Sequence, residues 1–470
     1  EVRSKLTHIR YKIEGEDGFI VIATQRPETI MADAAVAVNP NDERFKHLVG
    51  KKVIIPLINK SIPIILDEYV DLEFGTGCLK VTPAHDKNDN EIGIRHNLEI
   101  IDILNPDGTL NADAQILVGL DRFKAREEII ELLREADALE GEEEYTTNIG
   151  FSERTDSVVE PRLSLQWFMK MDEISKPALD AVVNGDVQFH PNKFVNTYKH
   201  WMENIRDWCI SRQLWWGQRI PAWYLNGSET DFVIAKTQEE AIEKARITFN
   251  DASISAENLH QDEDVLDTWF SSWLWPISVF GDVNDKDNKD LNYYYPTNDL
   301  VTAPEIMFFW VARMIIAGYH FRGEKPFSNV YFTGIVRDKK RRKMSKSLGN
   351  SPDPLDLIAK HGADAVRMGM LFASPAGNDL LYDESQIEQG RNFANKIWNA
   401  FRFLSMNRSE NFTYSSDFTF DESNLADRWM VGRLNETIEG MNEDFDKFRI
   451  NDALKRIYSL IWDDFCDWYI

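Results

Sequence analysis

Short apolar runs separated by turn-forming residues dominate the first third of the chain. Runs rich in Val, Ile and Leu that are bounded by Gly, Pro, Asn or Asp are typical of strands. Residues 122–136 break this pattern, because their Glu, Arg, Ile and Leu have the spacing of an amphipathic helix. The acidic residues 140–144 then predict an exposed linker. We therefore predict a β-rich module over residues 1–145, with strands at residues 19–24, 53–56, 62–66 and 79–82.

Strand and helix patterns alternate over residues 146–384. Such alternation is typical of a parallel sheet with helical crossovers. A basic loop follows the second strand of this region, and the polar residues 282–292 predict a surface loop. The predicted strands lie at residues 300–302 and 329–334, and the predicted helices at residues 306–319, 354–361 and 363–372.

Only helical patterns remain from residue 385 onward. Apolar residues recur there at helical spacing in three successive groups, and three amphipathic helices in a row predict a bundle. The last pattern runs to Ile470 without a capping residue, and the chain begins with Glu1 instead of Met. We therefore expect these residues to be part of a longer protein.

Composition narrows the class of protein. A chain of 470 residues is too long for one compact core, so two or three domains are expected, and 43% apolar residues argue against disorder. Three widely spaced cysteines without a Cys-x-x-Cys pair favour a reducing, cytoplasmic setting. No apolar run has the length of a membrane span. The net charge of −25 means that any contact with RNA needs a local basic patch.

One short segment is strongly basic although the chain as a whole is acidic. Seven of the ten residues from Arg337 to Lys346 are Lys or Arg. A solvated loop is the ordinary interpretation of such a run. This one follows a strand and precedes a helix, which is where α/β sheets place ligands. Mobile ammonium groups there would stabilise the charge that develops on departing pyrophosphate when ATP activates an amino acid.

The order of residues in this segment resembles the signature loop of the class I aminoacyl-tRNA synthetases, Lys-Met-Ser-Lys-Ser, here Lys343-Met344-Ser345-Lys346-Ser347. A second segment, Asp207-Trp208-Cys209-Ile210-Ser211-Arg212-Gln213, resembles one shared by the valine, isoleucine and leucine enzymes of this family. Two more segments are similar to the valine-specific branch: the continuation Leu214-Trp215-Trp216-Gly217-Gln218-Arg219-Ile220-Pro221-Ala222-Trp223, and Asp262-Glu263-Asp264-Val265-Leu266-Asp267-Thr268-Trp269-Phe270. The resemblance implies a ligase that uses ATP with Mg²⁺, L-valine and tRNA(Val).

The same resemblance implies roles for individual residues. Lys343 and Lys346 would be catalytic, and the whole loop would bind ATP. In place of the usual Gly-aromatic-Asp, this chain has Ala303-Pro304-Glu305, which retains a carboxylate that can accept a hydrogen bond. An isolated Trp is ordinarily a core aromatic, but the family's amino-acid pocket corresponds here to Trp269, Ile306 and Trp310.

The β-rich module resembles the editing segments of the family. A pocket that accepts valine cannot strongly reject threonine, which is the standard example of this problem, so a second site must hydrolyse the wrong ester. Thr24-Gln25-Arg26-Pro27-Glu28-Thr29 and the segment from Phe74 to Asp89 match the two editing segments, and Glu28 is typical of the valine branch. The implied editing residues are Thr24, Arg26, Thr29, Phe74, Lys80, Thr82, Asp86 and Asp89.

In this editing site the resemblance implies that Asp89 holds the substrate amino group. Lys80, Thr82 and Asp86 would shape the pocket and position water, and Arg26 and Thr29 would contact the terminal adenosine or the threonyl side chain. Taken without the family, His85-Asp86-x-x-Asp89 is ordinarily a solvated or capping turn, and a metal site is the other alternative.

No zinc is expected in this chain. Many bacterial members of the family carry zinc-binding cysteine pairs near the positions of residues 152–155 and between residues 224 and 262, and neither stretch contains Cys here. Hydrolysis of an activated ester needs no metal either, because a positioned water is sufficient.

Taken together, the resemblance implies a multidomain α/β protein. Its parts are an editing domain over residues 1–145, the C-terminal half of a Rossmann-like parallel-sheet catalytic domain over residues 146–384, and the start of an all-α anticodon-binding bundle over residues 385–470. The other nucleotide motif of the class, His-x-Gly-His, does not occur here, so we expect these residues alone to edit but not to aminoacylate. We expect a monomer without membrane attachment. An isoleucine-specific fragment and a non-catalytic tRNA-binding fragment remain alternatives.

Overall fold

The computed structural model divides the chain into two compact units, Glu1–Leu165 and Gln166–Ile470. We describe each unit by itself. Among the described residues, no helix combines the length and the apolar character needed to cross a membrane. The structure describes residues 1–73, 75–152, 155–283, 285, 287–345, 348–374, 377–410, 412–413 and 423–470.

The first unit is built on seven strands and two α-helices, with short 3₁₀ turns at Pro27–Ala32, Lys46–Leu48 and Ala112–Ala114. The strands are β1 (Val2–Ile13), β2 (Phe19–Thr24), β3 (Ala35–Val38), β4 (Lys52–Ile54), β5 (Ser61–Leu66), β6 (Cys78–Val81) and β7 (Leu139–Thr147), and the helices are α1 (Lys87–His96) and α2 (Arg122–Glu135).

These strands form one sheet in the order β2-β1-β4-β5-β3-β6, with β7 paired to β1. The β3–β5 pair is parallel and the other pairs are antiparallel. Buried side chains alternate along β2 and β5, which is the pattern of strands with one face on a core. The four strands predicted in this region are confirmed as β2, β4, β5 and β6 within one or two residues. The sequence analysis missed β1, β3 and β7.

The predicted acidic linker at residues 140–144 is wrong. These residues lie inside β7, which pairs antiparallel with β1 over most of its length. The basic side chains of β1 explain the pairing, because Lys5 contacts Glu142 at 3.4 Å and Arg10 contacts Glu140. Opposite charges on paired strands stabilise the sheet by cross-strand attraction, so a run of Glu here forms an edge strand.

The second unit contains many short strands and most of the helices, with 3₁₀ turns at Ala256–Asn258 and Pro304–Ile306 and π-helical segments at Met307–Val311 and Leu460–Tyr469. Its strands are β8 (Phe168–Met169), β9 (Gln188–His190), β10 (Trp208–Cys209), β11 (Ser211–Arg212), β12 (Ala222–Leu225), β13 (Phe232–Ile234), β14 (Leu259–Gln261), β15 (Val265–Leu266), β16 (Thr297–Thr302), β17 (Phe327–Phe332), β18 (Val336–Arg337) and β19 (Leu380–Leu381). Its helices are α3 (Asp172–Val183), α4 (Phe194–Glu203), α5 (Gln238–Thr248), α6 (Thr268–Ser272), α7 (Trp275–Ser278), α8 (Lys289–Tyr294), α9 (Ala312–Arg322), α10 (Pro354–His361), α11 (Ala363–Ala373), α12 (Glu384–Met406), α13 (Leu425–Asp446) and α14 (Ile450–Ser459).

The predicted parallel pairing is confirmed in this unit, where β16, β17 and β9 form a parallel three-stranded sheet. The largely buried α9 packs in the core beside β17. The predicted apolar helix at residues 306–319 is therefore present, although it starts with a 3₁₀ turn and a π-helical segment. The predicted surface loop at residues 282–292 is partly wrong, because α8 begins inside it and buries Leu291.

The described chain after residue 384 is helical, as predicted, apart from the connection between α12 and α13 and the short turn at residues 447–449. Asn451, in α14, donates hydrogen bonds to the backbone oxygens of Leu371 and Phe372 at 2.8 and 2.6 Å. The ring of Phe448 stacks on His190 at a centroid distance of 3.9 Å. The helices are thus packed against the end of α11 and the parallel sheet.

Candidate active sites

A cavity of about 510 Å³ lies in the first unit, lined by residues of the loop after β2, strand β6 and the start of α1. Seven of the eight editing residues implied by the resemblance line it together, and the eighth, Phe74, lies outside the described residues. Those seven are Thr24, Arg26, Thr29, Lys80, Thr82, Asp86 and Asp89.

A buried ammonium group organises one wall of this cavity. Lys80 Nζ donates to Thr29 Oγ1 at 2.9 Å, to Asp33 Oδ1 at 3.2 Å and to Thr82 Oγ1. The two hydroxyls donate their own protons elsewhere, that of Thr29 to the backbone oxygen of Arg26 and that of Thr82 to Asp33 Oδ1. An ammonium has three protons, so these three acceptors use all of them. The hydroxyl oxygens of Thr29 and Thr82 can therefore still accept hydrogen bonds, but these three side chains have no proton left to donate.

Asp33 is the residue that the sequence analysis missed here. Its side chain is completely buried, and it accepts hydrogen bonds from Lys80, from Thr82 and from the Tyr11 hydroxyl at 2.6 Å. Burial raises the pKa of Asp33 above its usual range, and the charge of Lys80 opposes that shift. Burial also raises the pKa of Tyr11. The available signal was the apolar setting of this one Asp between Thr29 and β3, which is unusual because Asp is rarely buried without partners.

Asp86 and Asp89 occupy the start of α1. Asp86 caps the helix, because its Oδ1 accepts from the backbone N–H groups of Asn88 at 2.8 Å and Asp89 at 3.1 Å. Asp89 Oδ2 accepts from the backbone N–H of Thr82 at 2.9 Å, which links the helix to β6. Burial raises the pKa of Asp89 to about 6, although Lys80 acts to lower it. Asp89 therefore titrates close to neutrality.

The alternative of a metal site at His85, Asp86 and Asp89 gains no support. His85 Nε2 accepts from the backbone N–H of Ile103 at 3.1 Å, while the two carboxylates bind backbone N–H groups of other residues. Burial, followed by the charge of Arg26, lowers the pKa of His85 to about 4, so this imidazole is neutral at physiological pH. Within the part of the chain that the structure describes, no cluster of three or more His, Cys, Asp or Glu side chains could hold a metal.

Arginine and glutamate side chains form a set of ion pairs at the cavity, where Arg26, Arg126 and Glu160 are among the lining residues. Glu28 is only 1% exposed and accepts from both Nε and Nη2 of Arg126, at 2.8 and 2.6 Å. Arg26 lies beside Glu28 and contacts Glu160, and Arg122 Nε donates to Glu160 at 3.0 Å. These pairs join the loop after β2, helix α2 and the segment before residue 165. Nothing local in the sequence identifies Arg126 or Glu160, because their partners lie far away along the chain.

The basic loop of the second unit is open to solvent. Lys343 is 60% exposed and its Nζ donates to Glu305 Oε1 at 3.0 Å. Met344 lines a shallow cavity beside the loop, and the backbone N–H of Ser345 donates to Asn350. The remaining predicted ATP-binding residues, Lys346 and Ser347, lie outside the described residues.

The three predicted amino-acid pocket residues lie in the second unit with this loop. Trp269, in α6, stacks on Phe309 with centroids 5.9 Å apart, and Trp310 packs against the core of the unit. Ile306 ends the 3₁₀ turn that also carries Glu305. Lys343 thus contacts Glu305, the residue next to Ile306. That Trp269, Ile306 and Trp310 form an amino-acid pocket stays a prediction.

Comparison with known proteins places these features in a family. A sequence profile described as tRNA synthetases class I (I, L, M and V) matches residues 21–383, and one described as the anticodon-binding domain of tRNA ligase matches residues 427–470. The chain is 56% identical over 471 residues to the valine–tRNA ligase of Christiangramia forsetii and 57% identical over 472 residues to that of Porphyromonas gingivalis.

Each of these alignments covers 100% of this chain and 53% of the relative, so the chain spans about half the length of the curated relatives it matches. Among solved structures, the methionyl-tRNA synthetase of Mycobacterium tuberculosis bound by methionyl-adenylate is 20% identical. The match covers 67% of this chain and 55% of that one, with a TM-score of 0.49.

Proposed function

Because the chain belongs to the class I tRNA synthetases of the I, L, M and V group and shares 56% identity with valine–tRNA ligases, we propose that the whole protein ligates L-valine to tRNA(Val). ATP with Mg²⁺ supplies the energy, and pyrophosphate leaves as valyl-adenylate forms. The relatives named as valine–tRNA ligases disfavour the isoleucine alternative. The identity with these relatives is the observation that carries the ligase proposal.

In this ligase, Lys343 and Lys346 are the proposed catalytic residues. Their ammonium groups stabilise the negative charge that grows on the departing pyrophosphate, and this contact is stronger in the transition state than in the ground state. Residues 343–347 bind ATP. Trp269, Ile306 and Trp310 enclose the valyl side chain, and Glu305 lies between that pocket and Lys343, which it contacts at 3.0 Å.

The ligase proposal is tested by pyrophosphate exchange in the protein as its gene encodes it. The expected result is exchange into ATP that depends on valine and is much weaker with isoleucine. Exchange that depends on isoleucine, or no exchange with either amino acid, would overturn the proposal.

We also propose that the cavity of the first unit hydrolyses threonyl-tRNA. The observation that supports it is that seven residues from two separate segments of sequence line one cavity. Water attacks the ester carbonyl, the bond between that carbon and the ribose oxygen breaks, and a proton from the water goes to the ribose oxygen, which becomes a hydroxyl. Threonine and free tRNA are the products. An activated ester needs only a positioned water for this step.

The polarity of the cavity wall fits a threonyl group. The protons of Lys80 and of the two threonine hydroxyls are already donated, so the wall offers acceptors: hydroxyl lone pairs and the carboxylate of Asp89. The threonyl hydroxyl and the α-ammonium are donors that such acceptors can bind. A valyl group has a methyl where threonyl has the hydroxyl, so its entry would leave desolvated acceptors unpaired, which is costly.

The remaining residues have proposed supporting roles. Asp89 holds the α-ammonium, while Lys80, Thr82 and Asp86 shape the pocket and position the water. Arg26 and Thr29 contact the terminal adenosine or the threonyl side chain. Thr24 supports the turn, because its Oγ1 accepts from the backbone N–H of Arg26 at 3.1 Å. Phe74 is proposed from the sequence alone.

The domain assignment is part of the same proposal. Residues 1–145 form the editing domain, residues 146–384 the C-terminal half of a Rossmann-like catalytic domain, and residues 385–470 the start of the anticodon-binding bundle. The protein acts as a cytoplasmic monomer without zinc. These 470 residues by themselves edit but do not aminoacylate.

The editing proposal is tested by incubating the 470-residue chain with threonyl-tRNA(Val). We expect hydrolysis, and we expect Asp89→Ala to abolish it because the α-ammonium loses its carboxylate. Asp113→Ala, which removes an exposed Asp of the same unit, is the matched control and should retain the rate. Equal rates for Asp89→Ala and the wild type would count against the assignment, and tRNA binding without hydrolysis would favour the non-catalytic alternative.

A further inference from the structure

Asp338 is the centre of the hydrogen bonds at the start of the basic loop. Its Oδ1 accepts from the backbone N–H groups of Lys340 and Arg342, both at 2.9 Å. Its Oδ2 accepts from Arg342 Nε at 2.9 Å and from the side-chain amide of Asn350 at 3.0 Å. These donors, that of Asn350 first, hold the pKa of Asp338 well below its usual range. The carboxylate therefore stays charged at any pH at which the protein works.

Asn350 closes the loop from its other end. Its Nδ2 donates to Asp338 Oδ2 and also to the backbone oxygen of Lys343, at 3.0 and 3.3 Å. Its Oδ1 accepts from the backbone N–H of Ser345 at 2.9 Å. One side-chain amide thus touches residues 338, 343 and 345, and both its nitrogen and its oxygen are used.

The position of Lys343 depends on these contacts. Its backbone forms a bridge with Arg337 and is held by Asn350, while its exposed side chain meets the exposed carboxylate of Glu305. An exposed ion pair contributes little to fixing a geometry. The backbone contacts are therefore what aims the Lys343 side chain toward the turn that carries Glu305.

We propose that Asp338 and Asn350 are positioning residues for adenylate formation, acting as a clamp that holds the backbone of Lys343 and Ser345. This inference rests on the proposed ligase function. The clamp touches no substrate. It acts because a catalytic cation stabilises the transition state only when it is held near the productive geometry before the reaction begins.

The test uses four variants in the protein as its gene encodes it, assayed by valine-dependent pyrophosphate exchange. Asn350→Ala removes all three contacts of the amide. Asn350→Asp places a second carboxylate against Asp338, where like charges repel. Combining it with Asp338→Asn restores one donor and one acceptor, because the amide introduced at position 338 can donate to the carboxylate introduced at position 350. Asp353→Asn is the control, since Asp353 caps α10 and Asn caps a helix equally well.

The clamp predicts a fall in kcat of about 10- to 100-fold for Asn350→Ala and Asn350→Asp, because small misplacements of catalytic groups have effects of this size. The KM for valine should stay within about twofold, because the amino-acid pocket is not altered. The double variant should recover part of the loss of Asn350→Asp, since residues in contact are coupled. Hydrolysis of threonyl-tRNA by the same proteins should not change, which separates a positioning role from general unfolding.

Two results would overturn the inference, and only the second would also overturn the proposed ligase function. If the wild type exchanges pyrophosphate and both Asn350 variants keep its kcat, the clamp has no positioning role while the ligase function stands. If the wild type shows no valine-dependent exchange, the ligase proposal itself fails, and the inference fails with it.

Discussion

The cavity of the first unit and the basic loop of the second use lysine in opposite ways. The Lys80 side chain is 10% exposed and gives all three protons to protein acceptors. The Lys343 side chain is 60% exposed and meets one carboxylate that is itself exposed. One ammonium is part of a fixed wall, and the other is a solvated charge on a loop.

This difference matches what each proposed reaction requires. Hydrolysis of an ester that is already activated needs a shaped, polar pocket in which each group is fixed before the substrate enters. The proposed ligase step instead needs an ammonium that is exposed, so that it can contact the departing pyrophosphate, on a backbone that is held in place before the reaction begins. Buried charges interact through a lower effective dielectric constant than exposed ones. Removing one member of an ion pair should therefore lower the free energy of unfolding much more in the cavity than in the loop.

The largest expected effect on stability is that of Lys80→Met in the 470-residue chain. The substitution leaves the buried Asp33 without its cation, and breaking a buried ion pair lowers the free energy of unfolding by about 3–5 kcal/mol. Urea unfolding of the first unit measures it. Adding Asp33→Asn should recover part of the loss, because the uncompensated carboxylate is then gone. A loss below about 1 kcal/mol would mean that the pair does not stabilise the wall.

A smaller effect is expected when pH is changed, and it concerns the rate of threonyl-tRNA hydrolysis. Burial raises the pKa of Asp89 to about 6, so the carboxylate that we propose to hold the α-ammonium is protonated below that pH and charged above it. The rate of threonyl-tRNA hydrolysis, corrected for the uncatalysed reaction, should rise about tenfold from about pH 5 to about pH 7. His85 does not interfere, because its pKa is lowered to about 4. Asp89→Asn should lose this dependence, and a wild-type rate independent of pH would contradict the role of Asp89.

The raised pKa of Asp89 has a matching effect on stability. The folded state binds the proton more tightly than the unfolded state, so ionisation of Asp89 destabilises the fold as pH rises from about 4 to about 6. Asp89→Asn removes this contribution. Urea midpoints of the variant and the wild type should therefore diverge over that window in favour of the variant, and parallel curves would contradict a raised pKa of Asp89.

The smallest effect on stability is expected from a substitution beside the basic loop. Glu305→Gln removes the exposed partner of Lys343, and the free energy of unfolding should change by less than about 1 kcal/mol because exposed ion pairs contribute little. Thermal unfolding of the wild type and the variant at low and high salt measures this change. A loss as large as that of Lys80→Met would remove the contrast between the two regions.

The elements that could be predicted from the sequence are those with local signals. Strands β2 and β5 carry β-branched runs, and the residues of the proposed editing site lie in two short contiguous motifs. The parts that were missed depend on distant partners: β7 is acidic and becomes a strand because β1 is basic, and Asp33 is identified only when Tyr11 and Lys80 surround it. The sequence of β7 therefore carries no strand signal of its own, whereas β1 has alternating apolar residues at Ile9, Tyr11 and Ile13 that could have been recognised.

The proposed selectivity of the cavity in the first unit is for a hydroxyl over a methyl group. Its most direct test compares the hydrolysis of threonyl-tRNA(Val) and valyl-tRNA(Val) by the 470-residue chain at neutral pH. The lone pairs left on the hydroxyls of Thr29 and Thr82 predict a ratio of kcat/KM above about 100 in favour of the threonyl ester, because valyl entry leaves those acceptors unpaired. Equal hydrolysis of the two esters, or none of either, would contradict the account.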